Sequence, residues 1–162
     1  MSSTSLYEDR FCQLTKEKLD IKWYYFPVPF SRRVAPQAIK GLFSEPPHYD
    51  WATKKTWGSS LPFVWWACNF QRYSSKDDGR VRDVAVDNGE LHHKGFTVEN
   101  YPEFVAALRP LLSQGAKVEE KFPYYSGEYK AKMGRFYLVF VPLGVASVAG
   151  AYYVATKAAG LL

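Results

Sequence analysis

Residues 19–34 read LDIKWYYFPVPFSRRV. Leu19, Ile21, Trp23 and Tyr25 alternate with Asp20, Lys22 and Tyr24, the period of two expected of a strand with one buried face. This is the clearest such signal in the chain, and it predicts a mainly β domain in which the aromatic residues of the strands pack the core. Pro27 and Pro29 then break the ladder, because proline brings no N–H to it.

The same reading extends outward in both directions. Upstream, residues 10–15 (RFCQLT) form a short strand, and Lys16–Lys18 the turn that follows. Downstream, residues 31–43 (SRRVAPQAIKGLF) supply a strand interrupted near Pro36, which marks an edge or a bulge. Residues 44–60 mix Pro, Gly, Ser and Asp with aromatics and read as a long loop with at most one short strand. Three more strands follow at 63–70 (FVWWACNF), 81–88 (VRDVAVDN) and 92–98 (HHKGFTV), separated by the turn signals SSKDDG and DNG.

At residues 99–112 (ENYPEFVAALRPLL) the period changes. Phe104, Val105, Leu108, Leu111 and Leu112 share one helical face, Asn100 or Tyr101 stands at the cap, and Pro102 falls in the first turn, where its missing N–H is harmless. Pro110 kinks or shortens the helix. The expected organisation is a polar leader (1–10), a β domain with a capping helix (11–112), a connector (113–132), a transmembrane helix (133–157) and a short tail (158–162).

The segments LDIKWYYFP, SRRVAPQAIKGL, TWG and GFTVENYPEFVAAL together resemble small membrane-associated pleckstrin-homology-like domains over about residues 10–112. The resemblance implies an antiparallel β-barrel or meander of six or seven strands whose open end is plugged by one C-terminal amphipathic helix.

Beyond the domain, Phe136–Val154 carries no charged residue. As a helix it would be roughly 28 Å long, close to the hydrocarbon thickness of a bilayer. Lys130, Lys132 and Arg135 precede it, Lys157 follows it, and Tyr137, Tyr152 and Tyr153 sit near its ends, as interfacial residues do. Gly144, Ala146, Ser147, Gly150 and Ala151 offer small surfaces on which another helix can pack closely. Because the run lies so near the C-terminus, it predicts a single-pass tail anchor. The first residues show neither a secretory h-region nor an acid-poor transit peptide, so the N-terminal domain is expected in the cytosol. Moderate hydrophobicity with basic flanks favours the mitochondrial outer membrane, with the inner membrane and the endoplasmic reticulum as alternatives.

The chain has 162 residues and a formal charge of +5, with the cations spread among acids rather than gathered in a stripe, so nucleic acid is not an expected partner. Cys12 and Cys68 form no CxxC pair and read as reduced, buried thiols. His92 and His93 are adjacent and point to opposite faces of a strand, and His48 stands apart. No metal, cofactor or catalytic residue is expected: Asp77, Asp78, Asp83 and Asp87 are acidic neighbours, but DDG and DNG are explained as turns. The best-supported function is a non-catalytic scaffold or adaptor subunit of a mitochondrial membrane complex. Trp51, Trp57, Tyr124 and Tyr125 are its candidate protein contacts, since aromatics are enriched in interfaces. Its partners are the bilayer and other subunits. The alternatives are an accessory subunit of a respiratory or ATP-synthase complex, or a phosphoinositide or lipid module using Lys22, Arg32, Arg33 and Lys40.

Overall fold

The computed structural model describes residues 4–48, 53–60, 63–74 and 79–125, together with Ser147, Ala151, Tyr153, Val154 and Lys157. The chain divides into two units, Met1–Phe122 and Pro123–Leu162.

The first unit contains two sheets. Strands β1 (Tyr7–Glu8), β2 (Cys12–Leu14), β3 (Leu19–Ile21) and β4 (Arg32–Val34) form an antiparallel sheet in that order. The second sheet contains β5 (Gly41–Glu45), β6 (Gly58–Ser59), β7 (Val64–Trp66), β8 (Arg82–Asp87), β9 (His93–Val98) and β10 (Lys117–Glu119). Its spatial order is β10-β5-β8-β9-β7-β6, and two of its pairings, β10 with β5 and β7 with β9, are parallel.

This corrects the expected barrel. Parallel neighbours cannot be joined by a hairpin, so the second sheet is mixed and not a meander. Strand β3 ends at Ile21, four residues before the alternation runs out, and is too short to fold across into a closed barrel. The interrupted strand at 31–43 becomes β4, a 3-10 turn at Pro36–Ala38, and β5 in the other sheet. Residues 117–119, expected within a connector, instead form the edge strand β10.

Helix α1 (Tyr101–Leu108) begins as expected, with Pro102 in its first turn, and gives way to a 3-10 turn at Arg109–Leu111 where Pro110 removes an N–H. Its buried face is Tyr101, Phe104 and Leu108. Phe104 meets the ring of Tyr7 on β1 edge-on at 5.4 Å and that of Phe96 on β9 at 6.0 Å, so one side chain touches both sheets. Val105, Leu111 and Leu112 pack more loosely at the margin of this core. Asp9 closes the same corner: Oδ1 accepts from the N–H groups of Phe11 and Cys12, and Oδ2 from the Tyr7 hydroxyl and the Glu99 N–H.

The transmembrane, tail-anchored expectation is also corrected. Among the described residues no helix is long and apolar enough to cross a membrane; α1 with its 3-10 extension falls well short of the roughly 20 residues a bilayer needs. Of Phe136–Val154, only Ser147, Ala151, Tyr153 and Val154 are described. All four are helical and exposed. Lys157 is likewise exposed, its Nζ 5.8 Å from the centroid of the Tyr153 ring. Gly144, Ala146, Gly150, Lys130, Lys132 and Arg135 lie outside the described residues.

In the second sheet Gly95 pairs with Trp66, and a Cβ at Gly95 would collide with the Trp66 indole, which is fully buried. The ring fills the space a side chain would take. Gly95→Ala is therefore expected to destabilise the first unit by about 1–3 kcal/mol through overpacking, seen as a lower urea midpoint. An unchanged midpoint would show that Trp66 does not lie on Gly95.

Candidate functional site: an exposed aromatic strip

The loop joining β3 to β4 reverses the burial that the alternation predicts. Trp23 is 45% exposed and Tyr25 40%, whereas Tyr24 is only 5% exposed. The cause is local: Trp23 has φ of +57°, a left-handed conformation that costs a bulky residue roughly 1–2 kcal/mol and rotates the following side chains by half a period. Two hydrogen bonds, from β7 and from the segment after it, hold it there. Cys68 N–H donates to the Trp23 carbonyl at 3.1 Å, and the Trp65 indole N–H donates to the Tyr24 carbonyl at 3.0 Å. Burial pushes the Tyr24 hydroxyl pKa up, as expected for a phenol pressed into the core.

What turns outward joins other aromatics. Phe26 packs edge-on against Phe70 at 5.6 Å and Trp57 at 5.8 Å; Trp57 meets Trp65 at 5.9 Å, and Trp65 meets Tyr24 at 6.3 Å and His92 at 6.5 Å. Phe70, Phe30 and Leu91 are each more than two-thirds exposed. The result is a continuous strip with a cleft at each end. One cleft, of about 300 Å³, is lined by Tyr24, Tyr25, Trp65, Leu91 and His92. The other, of about 360 Å³, is lined by Phe11, Trp23, Phe26 and Phe70, with Arg10 at its edge. Isolated exposed apolar residues are ordinary, whereas a contiguous patch of this kind is a candidate functional surface.

Beneath the strip lies a set of buried charges. Lys54 and Arg72 are almost wholly inaccessible, as are Asp83 and Glu45. Lys54 Nζ lies 3.2 Å from Asp83 Oδ2 and 4.0 Å from Glu45 Oε2, and donates to the Pro46 carbonyl at 3.0 Å. Arg72 stacks on the Trp66 ring at 4.4 Å, donates through Nη2 to the Ala67 carbonyl at 2.8 Å, and faces Asp83 Oδ1 at 3.9 Å. That oxygen also accepts from the Thr97 hydroxyl, which accepts in turn from the Asn69 amide. The Phe122 N–H donates to Glu45 Oε1. Desolvation lowers the Lys54 and Arg72 pKa values while Asp83 works against it.

Two cations and two carboxylates balance, and the arrangement has a positional consequence. Lys54 fixes the segment that carries Trp57, Arg72 fixes the segment that carries Phe70, and Tyr73 Oη donating to the Lys54 carbonyl ties the two segments together. Removing one member of such a buried set leaves an uncompensated charge and costs roughly 3–5 kcal/mol. Asp83, on β8, belongs to this network.

The expected lipid-contact cations do not converge. Lys22 pairs with Glu8 at 2.9 Å, Arg33 with Asp20 at 3.2 Å, and Arg32 with Glu90, while the Lys40 ammonium lies against Gly89. Of the expected protein contacts, Trp57 is in the strip and Tyr124 is buried. Tyr125 lies in the 3-10 turn Pro123–Tyr125 of the second unit, and Trp51 is outside the described residues. Cys12 is buried and Cys68 is half-buried, both as free thiols. Among the described residues no cluster of His, Cys, Asp and Glu could hold a metal ion.

No protein-family model matches the chain, no curated protein matches it, and no solved structure matches it.

At the rim of the first cleft, hydrogen bonds from Lys94 and Asn88, with the charge of Arg32 nearby, push the Glu90 carboxyl down to about 2. With its folded pKa depressed, Glu90 contributes stability that is present above its unfolded pKa of roughly 4.3 and lost as pH falls through about 2. A carbon-13 titration should place its midpoint near that low value, and Lys94→Met should raise it. A midpoint already in the ordinary carboxylate range would remove Glu90 from the rim network.

Proposed function

We propose that this protein is a non-catalytic adaptor or scaffold domain that docks a protein partner on the aromatic strip running from Phe70 through Phe26, Trp57 and Trp65 to Tyr25. The observation that carries this reading is the outward turn at Trp23, where backbone strain is maintained to display large apolar rings. Strain of this kind clusters at functional sites, and buried aromatic anchors supply most of the energy of interfaces. Catalysis has less support, since the charged residues Lys54, Arg72 and Asp83 are sealed from solvent. A phosphoinositide site has less support as well, because Lys22, Arg32 and Arg33 each face their own carboxylate, whereas phosphate recognition needs converging cations.

Strain and docking separate in one substitution. Trp23→Gly removes the ring but relieves the left-handed backbone, so thermal stability should hold or rise by about 1 kcal/mol. With a photo-crosslinking residue at Phe70 in the full chain expressed in its native cells, one discrete protein adduct is expected. The Trp23→Gly change should suppress that adduct about tenfold or more, equivalent to losing a contact worth ~1.4 kcal/mol. Absence of a protein adduct, or an adduct indifferent to Trp23, would overturn the reading.

A further inference from the structure

The strip carries a chemical preference of its own. The indole N–H of Trp65 is used internally, donating to Tyr24, and that of Trp66 donates to the Thr53 carbonyl. Neither Trp23 nor Trp57 makes a side-chain hydrogen bond to any described residue, and both are exposed. Two indole donors thus stand on a largely aromatic surface beside two clefts, whose linings also include Arg32, Glu90 and Lys94 in one and Arg10, Asn69 and Gln71 in the other.

A ligand matched to this surface has apolar bulk for the clefts and free acceptors for the donors. The strip's charges require no counter-charge: Glu90 faces Arg32 and Lys94, and Arg10 faces Glu99. An added β-strand cannot pair with the Trp23 and Tyr24 carbonyls, which are already bonded to Cys68 and Trp65. An amphipathic helix uses its own carbonyls and would have only side-chain acceptors to offer the indoles. A polyproline II segment fits both demands. It has no internal hydrogen bonds, so its carbonyls are free, and its prolines present flat apolar rings at little entropic cost.

The spacing agrees. Phe26 and Trp65 flank Trp57 at 5.8 and 5.9 Å, so the inner walls of the two clefts lie within little more than one polyproline II turn, roughly 9 Å. Successive turns of such a segment can enter the two clefts while Trp57 donates to the carbonyl between them.

We infer that the aromatic strip is a receptor for an uncharged, proline-rich segment of a partner protein in the polyproline II conformation, with Trp23 and Trp57 as its hydrogen-bond donors. This rests on the docking reading above and names the class of partner.

The test uses the full chain labelled with nitrogen-15 and an acetylated decaproline peptide, with a glycine–serine peptide of equal length as the control. The indole N–H resonances of Trp23 and Trp57 should shift saturably with decaproline, while that of Trp66 stays in place. Trp57→Phe keeps a ring and removes only the donor, and should weaken binding about fivefold, the value of one net hydrogen bond. No saturable shift into the millimolar range, an equal response to glycine–serine, or a Trp57→Phe variant that binds as well as the parent would overturn the inference. Should decaproline fail while the Phe70 crosslink still captures a protein in a Trp23-dependent manner, the polyproline assignment falls and the docking surface stands. If both fail, the surface itself is misassigned.

Discussion

Two carbonyls, those of Trp23 and Tyr24, accept hydrogen bonds from Cys68, just after β7, and from Trp65 on β7, and the arrangement of the β3–β4 loop follows from that crossing. The bonds end β3 at Ile21, hold Trp23 in a left-handed conformation and draw Tyr24 inward. They also attach the β3–β4 loop to the segment after β7. Without them the first sheet would still share the core through Tyr7 and Phe104, but its loop would lack these ties to β7 and the segment after it. With them, its loop becomes part of the surface built by the second sheet.

That surface is held from below by charge. A hydrophobic set in place of Lys54, Arg72, Asp83 and Glu45 would be at least as stable in many proteins, so stability alone does not account for their burial. What ionic contacts add is direction. Asp83 Oδ2 and Glu45 Oε2 make no hydrogen bond and face the Lys54 ammonium at ion-pair distance. Arg72 is clamped between Trp66 and Asp83. Each cation fixes one loop at one point, and those loops carry Trp57 and Phe70. A strip assembled from three separate segments needs such fixed points if its rings are to keep their spacing.

The positions of several elements were legible in the sequence, but the architecture was not. The strands at Cys12–Leu14, Leu19–Ile21, Val64–Trp66, Arg82–Asp87 and His93–Val98 fall inside segments read as strands, and α1 starts and stops where Pro102 and Pro110 indicate. The sheet order was not legible, because parallel pairing between β7 and β9 leaves no local signature in either strand. The burial phase of residues 23–25 was misread for a specific reason: WYYF is aromatic at four consecutive positions, so alternation is undefined there, and its phase was carried over from Leu19 and Ile21. The unbroken aromatic run followed directly by Pro27 was the available sign that the strand had ended. Nothing in the spacing of Lys54, Arg72 and Asp83 marks them as buried, since they meet only through the fold.

The inverted phase at Trp23 is the point on which the candidate surface stands, and hydroxyl-radical footprinting read residue by residue measures it directly. The account expects fast oxidation of Trp23, Tyr25 and Phe70, and strong protection of Tyr24 and Trp66. Protection of Trp23 and Tyr25 together with rapid oxidation of Tyr24 would restore the simple alternating strand and contradict the aromatic strip.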